Sequence, residues 1–499
     1  MIYVQLNKED FEYDIHSLVK AFFPSENVSV CAKNKQFDEP VDLWMKVYYL
    51  PDRVELKLLE PQKNKELNAD SQTDEALSAC FLTDYAERTH TKNLLKQKLY
   101  QLLSDYTGRS LPWGTLTGIR PTKIPMTMLE EGQTPQQIKD YMSKTYGTSN
   151  EKIDLSIEIA QRELELLQRL DYKKGYSLYI GIPFCPSTCL YCSFTSYPVC
   201  AWQERIDGYL DALEQEIAFT ADLFAGRHLN SIYIGGGTPT TLMPRQLDRL
   251  LARLESSFDY SHLLEFTVEA GRPDSIDKEK LEVLRAYGIS RISINPQTMK
   301  QETLDLIGRH HTVRQTIDSF DLARRLGFDN INMDLIMGLP QETLDDVKNT
   351  MEKLRQLEPD SITVHSLAVK RAARLSMFKE DYTGLSMVNT QAHLDAAADT
   401  CSRMGMQPYY LYRQKNMAGN FENVGYAKTG KAGIYNILIM EEKQTIAALG
   451  AGSISKRVQP GERIRRCENV KDVAQYIERI GEMIERKRKL LDETNNVYL

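Results

Sequence analysis

The sequence predicts an α/β chain organised around an incomplete barrel of six β–α units, and three observations carry that prediction. From about Tyr176 onward, short β-rich runs alternate with amphipathic helical spans, the pattern of a parallel sheet with crossover helices. Six such units occur, too few for a closed eight-fold barrel. Distinctive residues also recur at corresponding places, at or just past the end of each β-run.

Taken in order, the first part reads as a small α/β domain over residues 1–110. Strand-like runs fall at Met1–Leu6, Leu43–Leu50 and Val54–Leu59, and a helical stretch follows from about Thr73 to Tyr106. Residues 111–175 read as a connector. Its Gly- and Pro-punctuated loop Trp113–Lys123 contains Arg120-Pro121-Thr122-Lys123, and a helical span with a charged polar face follows from about Pro135 to Leu170. The partial barrel occupies 176–370, with β-runs at Ser177–Ile182, Ser231–Ile234, Glu265–Glu269, Arg291–Ile294, Asn330–Ile336 and Ser361–His365. Helical spans lie between them at Trp202–Phe224, Pro244–Phe258, Asp277–Tyr287, Thr312–Leu326 and Glu342–Leu357. Residues 371–499 form a C-terminal α/β extension, expected to cover the substrate.

Composition bounds the function. The 499 residues allow two to four domains at roughly 150 residues each. With 42% hydrophobic and 26% charged residues the chain builds a large core, which excludes disordered, collagen-like and coiled-coil classes. Lys and Arg total 62 against 69 Asp and Glu, a net charge of −7, which argues against a general nucleic-acid binder. No apolar run approaches the length of about 18 needed to span a bilayer. Lys8, Glu9, Asp10 and Glu12 are the wrong chemistry for a secretory leader, so the reading is cytoplasmic.

Five of the eight cysteines are scattered, as suits reduced thiols. Cys185, Cys189 and Cys192 instead form C-x3-C-x2-C, a spacing that chance gives about two times in a thousand at this cysteine frequency. Structural zinc wants four ligands, commonly on paired arms. Three close thiolates point rather to a centre with one open position, the count of an iron–sulfur cluster whose protein ligands hold three irons.

The cysteine loop follows the first β-run and Gly235-Gly236-Gly237-Thr238-Pro239 the second. Glu269 ends the third, Gln297 follows the fourth, Asp334 is late in the fifth and His365 ends the sixth. In parallel α/β folds the C-terminal strand ends form the active face, so these residues converge. Singly each has an ordinary reading. A three-glycine turn is usually only a tight turn, although its N–H groups and open backbone suit close ligand approach. Glu269 is either a surface cap or a site carboxylate, and Arg309 either a solvated helix-start charge or a carboxylate binder. Asp334, among apolar neighbours, needs a buried partner. His310 and His311 read as structural or exposed.

The segment Tyr179-Ile180-Gly181-Ile182-Pro183-Phe184-Cys185, the cysteine spacing and the Gly-Gly-Gly-Thr-Pro turn resemble the radical S-adenosylmethionine enzymes of the oxygen-independent coproporphyrinogen III oxidase family. The resemblance continues through Glu269, Arg291-x-Ser293-x-x-x-Gln297, Arg309 and the Asp334-Leu-Ile-Met-Gly-Leu-Pro run. Arg120–Lys123, Gly308–His311 and Tyr410–Asn416 extend it to the HemZ-like subgroup over nearly the whole chain. It implies a [4Fe–4S] cluster on Cys185, Cys189 and Cys192, with S-adenosylmethionine completing the fourth iron. Tyr179, Tyr191, Gly236, Gly237, Thr238, Glu269, Gln297, Arg309, Asp334 and Ala368 would line that cofactor. Asp334 and Gln297 suit ribose hydroxyls, the Gly236–Thr238 backbone the methionine amino end, and Arg309 a carboxylate.

The implied activity is oxidative decarboxylation of coproporphyrinogen III propionates to vinyl groups, giving protoporphyrinogen IX through a 5′-deoxyadenosyl radical. A low-potential donor such as flavodoxin or ferredoxin would supply the electron. The tetrapyrrole would meet Lys370, Arg371, Arg374, Tyr409, Tyr412, Arg413 and Lys415, residues that read equally as an ordinary charged surface. Two departures mark the chain: Phe194 stands where the family often carries a fourth cysteine, and Gly181 where it has a histidine. The family also contains haem chaperones, whose haem-ligating histidine aligns with Tyr435 and whose Tyr-Trp pair aligns with Ile439-Met440. The alternatives are therefore a haem-binding transfer protein, or a radical enzyme acting on another tetrapyrrole.

Overall fold

The computed structural model describes residues 1–24, 26–32, 40–61, 73–118, 120–170, 172, 174–368, 373–377, 384–414, 421–459 and 463–491. Lys370, Arg371 and Lys415, expected in a substrate pocket, lie outside the described residues, as does the side chain of Arg374. The chain forms two compact units, Met1–Gln161 with Arg413–Glu422, and Arg162–Tyr412 with Asn423–Leu499.

The first unit contains β1 (Ile2–Leu6), α1 (Glu12–Phe22), β2 (Val28–Cys31), β3 (Leu43–Tyr49), β4 (Arg53–Pro61), β5 (Thr73–Leu82) and α2 (Arg88–Thr107). The strands order as β2-β1-β3-β4-β5, with the first three parallel and the last two antiparallel. Strict alternation along β3 sends Leu43, Met45, Val47 and Tyr49 into a core shared with Ile15, Leu18, Leu95 and Leu99 of the two helices. One expectation is corrected here. The stretch expected to be helical from Thr73 begins as β5, with Phe81 opposite Val54. Leu77, Ala79 and Phe81 turn inward and alternate with exposed Ser78 and Cys80, a period of two hidden among polar residues. The helix starts only at Arg88. Neither α1 nor β2 was foreseen.

After the predicted loop come α3 (Lys123–Glu130), α4 (Pro135–Tyr146) and α5 (Asn150–Gln168). The single span expected from Pro135 is broken at Gly147, whose φ of 65° ends α4 in a left-handed cap. Buried Trp113 donates its Nε1 to Glu422 at 2.8 Å, and Lys152 holds the other oxygen of that carboxylate at 2.7 Å. Arg413 lies over Trp113 and donates to the Leu116 carbonyl, so its guanidinium is engaged within this unit.

The strands of the second unit begin with β6 (Gly175–Ile182) and the two-residue β7 (Phe184–Cys185) and β8 (Tyr197–Pro198), followed by α6 (Ile206–Leu223). The repeat then runs through β9 (His228–Gly236), α7 (Pro244–Ser257), β10 (Glu265–Gly271), α8 (Lys278–Ala286), β11 (Arg291–Ile294), α9 (Gln301–Leu306), α10 (Val313–Arg325), β12 (Ile331–Met337), α11 (Leu344–Leu357) and β13 (Ser361–Ser366). Every predicted β-run and helical span of the partial barrel falls on one of these elements. The C-terminal part adds α12 (Arg374–Met377), α13 (Gln391–Arg403), β14 (Gln407–Tyr412), β15 (Asn423–Ala427), α14 (Ile434–Glu441) and β16 (Thr445–Leu449). It closes with β17 (Ile454–Arg457), β18 (Arg465–Glu468), α15 (Val473–Glu478) and α16 (Ile480–Leu491).

These strands form one sheet in the order β14-β15-β13-β12-β11-β10-β9-β6-β16-β17-β18. From β13 to β16 all neighbours are parallel, so β16, with Ala448 opposite Tyr179, adds a seventh strand to the six expected. Its five residues, Thr-Ile-Ala-Ala-Leu, are too short a run to separate from a buried helix segment by pattern alone. Antiparallel strands continue the sheet on both sides. The fold is mixed α/β with an incomplete barrel. Among the described residues no helix is long and apolar enough to cross a membrane.

Candidate cofactor site at the strand ends

Parallel register brings the cysteine loop and the glycine turn together. Gly181 lies opposite Gly235 and Ile182 opposite Gly236, so the chain leaves both strands at one level. The N–H groups of Gly237 and Thr238 then donate to the carbonyls of Ile182 (2.8 Å) and Phe184 (2.7 Å). A Cβ at Gly237 would stand 2.5 Å from the Phe184 oxygen, which is why glycine is required there. These amides were expected to face a ligand. They are instead engaged in holding the strand that carries Cys185, and the Gly236 amide serves Glu269.

The three thiols sit within electrostatic reach of one another. Burial pushes Cys185 up to about 11, with Cys192 and Cys189 adding to the rise while Thr238 and Arg272 oppose it. Burial likewise raises Cys192, and Cys189 adds to it. The Thr238 hydroxyl points at the Cys185 sulfur at 3.5 Å. The rest of the loop is fastened by the Leu190 amide on the Ile307 carbonyl (2.9 Å) and by Leu190 packing among Leu304, Ile307, Ile336 and Leu339. Arg309 is buried and donates to the Tyr191 hydroxyl (3.1 Å) and the Asn295 carbonyl (2.6 Å). Of its two sequence readings, the solvated charge is therefore overturned. His311 is fully buried, and its ring is held neutral by burial and by Arg309.

Carboxylates and tyrosines occupy the neighbouring face of the sheet. Tyr179 and Tyr233 are register partners with stacked rings, and Tyr435 of α14 stacks on Tyr233 at 4.6 Å. The Tyr233 hydroxyl donates to Glu269 Oε1 at 2.5 Å. Burial raises the Glu269 carboxyl to about 7, partly offset by that hydrogen bond and reinforced by Asp334. The partner required for Asp334 is Asn332, donating at 2.7 Å, with His365 Nε2 at 4.0 Å and the Tyr412 hydroxyl on its other nitrogen at 3.2 Å. Among the described residues neither carboxylate forms an ion pair with Lys or Arg. Gln297 adopts φ 68° and bridges to Leu335, its N–H on the Asp334 carbonyl, while its side-chain Oε1 is buried without a partner. Ala368 follows β13, half-buried, just beyond Leu367. Sequence reasoning missed Tyr233 and Arg272. Tyr233 carried a signal, since it sits two residues before Gly235, as Tyr179 sits two before Gly181.

This donor set fits a cluster and a cationic cofactor. Three soft thiols in one loop suit an iron–sulfur centre. The desolvated Glu269 carboxyl, with Asp334 close by and an unsatisfied amide oxygen on Gln297, suits a ligand that brings positive charge and a hydrogen-bond donor.

Comparison with known proteins agrees in class. The profile of the Radical SAM superfamily matches residues 179–354. The chain is 41% identical over 421 residues to the oxygen-independent coproporphyrinogen-III oxidase-like protein HemZ of Bacillus subtilis (strain 168), covering 83% of this chain and 84% of that one. It is 40% identical over 195 residues to the heme chaperone HemW of the same organism, covering 39% of this chain and 51% of HemW. The solved coproporphyrinogen III oxidase HemN of Escherichia coli superposes with a TM-score of 0.50 at 26% identity, over 64% of this chain and 73% of HemN. The fold and these matches define a radical S-adenosylmethionine enzyme that uses a [4Fe–4S] cluster. Within that class, the chain belongs to the HemZ-like oxygen-independent coproporphyrinogen III oxidase-like family.

Proposed function

We propose that this chain removes propionate carboxyl groups oxidatively from coproporphyrinogen III, each leaving as CO2 while one hydrogen atom goes to the 5′-deoxyadenosyl radical and one electron to an external acceptor, so that vinyl groups form and protoporphyrinogen IX results. Cys185, Cys189 and Cys192 hold the cluster in this reading, and the lining residues are those named from the sequence. When bound, cluster and S-adenosylmethionine supply a 5′-deoxyadenosyl radical, for which a low-potential donor such as flavodoxin or ferredoxin provides the electron in the cytoplasm. Glu269 and Asp334 then compensate the positive charges of the cofactor, which in a desolvated site is a strong source of affinity. Gln297 Oε1 accepts from a ribose hydroxyl. The Tyr179–Tyr233–Tyr435 stack forms a wall that keeps water from the reacting carbon.

The observation that carries the oxidase reading over the chaperone alternative concerns Tyr435, which stands at the chaperones' haem-ligating position. Its side chain is buried in the tyrosine stack, and burial drives its hydroxyl well above the ordinary phenol range, the wrong state for an iron ligand. The test is isotopic. Coproporphyrinogen III deuterated at the propionate β-carbons is incubated anaerobically with the reconstituted protein, reductant and S-adenosylmethionine. Deuterium in the 5′-deoxyadenosine supports the reading. Stoichiometric haem uptake with unlabelled 5′-deoxyadenosine would replace it with the chaperone reading.

A further inference from the structure

The segment following β10 reaches across to the cysteine loop. Arg272 is the first residue past that strand and its side chain is almost fully buried. Its Nη1 donates to both the carbonyl (3.1 Å) and the hydroxyl (2.6 Å) of Ser187, the middle residue between Cys185 and Cys189. Its remaining fork, Nε and Nη2, grips Asp274 in a bidentate pair at 3.0 and 2.6 Å. The Ser187 hydroxyl passes the contact on to the Gly308 carbonyl at 2.9 Å. A guanidinium can hold a carboxylate bidentately and a backbone carbonyl at once from one plane.

We propose that Arg272 is a positioning residue for the cluster: through Ser187 it fixes the span between the first two cysteine ligands, and paired with Asp274 it sets the electrostatic field felt there. The inference rests on Cys185, Cys189 and Cys192 holding the cluster. Two consequences separate. The hydrogen bonds to Ser187 fix geometry. The charge acts on the energy of adding one electron, because a nearby positive charge stabilises the more negative, reduced cluster. Asp274 cancels part of that charge. Arg309 and His311 face the same pair from the α9–α10 segment.

The experiment is an anaerobic redox titration of the reconstituted full chain, followed by electron paramagnetic resonance, with iron content and circular dichroism measured on each variant. Asp274→Asn leaves Arg272 uncompensated, so the potential rises. Arg272→Gln removes the cation and leaves Asp274, so the potential falls. Each shift is expected to be of order tenfold in the reduced-to-oxidised ratio, about 59 mV for one electron. Arg272→Lys keeps the charge without the fork, so the potential stays near that of the unsubstituted chain while iron content drops. Ser187→Ala separates anchoring from charge in the same direction. A structural role alone would lower iron content in every variant without opposite shifts, and that result overturns the proposal. So do shifts of the same sign in Asp274→Asn and Arg272→Gln. An unsubstituted chain that takes up no cluster overturns the cysteine assignment itself and this inference with it.

Discussion

Replacing Glu269 by Gln separates what the fold wants from what the cofactor wants. In the folded chain the Glu269 carboxyl is raised to about 7 by burial, against an ordinary value of 4.5. The folded state therefore keeps a proton that the unfolded state has already released. Stability falls as pH rises from 4.5 through 7, and the full penalty stands above 7. A shift of this size corresponds to about 3 kcal/mol. Glu269→Gln removes the penalty and keeps an acceptor for the Tyr233 hydroxyl. For a unit of about 330 residues, 3 kcal/mol moves the unfolding midpoint by roughly 4 °C. The cofactor-free variant should thus unfold a few degrees above the unsubstituted chain at pH 8 and at about the same temperature at pH 5. The assay is thermal unfolding by circular dichroism at both pH values, paired with calorimetric titration of S-adenosylmethionine into reconstituted protein. Stabilisation at pH 8 with loss of binding is the predicted pair. Destabilisation at pH 8 would refute the claim that Glu269 is a desolvated carboxylate awaiting a cation.

Three further outcomes follow from the same geometry. S-adenosylmethionine affinity of the unsubstituted chain should weaken by up to tenfold per pH unit below about 7, because the cation must displace a proton from Glu269; a flat profile between pH 6 and 8 in calorimetry would contradict this. Gly237→Ala pushes a methyl against the Phe184 and Ile182 backbone, so iron content should fall by more than half with helix content unchanged. Lys487 of α16 and Glu216 of α6 form a fully buried ion pair that also takes Tyr476 and the Gly450 amide. Lys487→Met should therefore destabilise by about 3–5 kcal/mol and expose the C-terminal helices to proteolysis, while a second change, Glu216→Gln, recovers part of the loss.

Six of the barrel strands were legible because short apolar runs alternate there with helices of ordinary length, a pattern that survives in one sequence. The converging site residues were legible for the same reason: strand ends are fixed once the strands are. What stayed hidden needed contacts distant in sequence. β16 joins β6 across more than 250 residues and has no pattern of its own beyond Thr-Ile-Ala-Ala-Leu. In β5, alternating Leu77, Ala79 and Phe81 were read as part of a helix because the polar residues around them fit either period. The glycine turn shows the limit within the site. From sequence its glycines read as a tight turn or as room for a ligand, but close backbone approach serves the cysteine strand, and that is visible only when the Ile182 and Phe184 carbonyls are in place.

Anaerobic turnover tests whether this site converts coproporphyrinogen III. Reconstituted protein, a low-potential reductant, S-adenosylmethionine and coproporphyrinogen III are combined, and 5′-deoxyadenosine and tetrapyrrole products are counted together. Protoporphyrinogen IX with two cofactor cleavages for each molecule formed is the predicted result. Cleavage of S-adenosylmethionine at the same rate with and without the porphyrinogen, and no vinyl product, would contradict it.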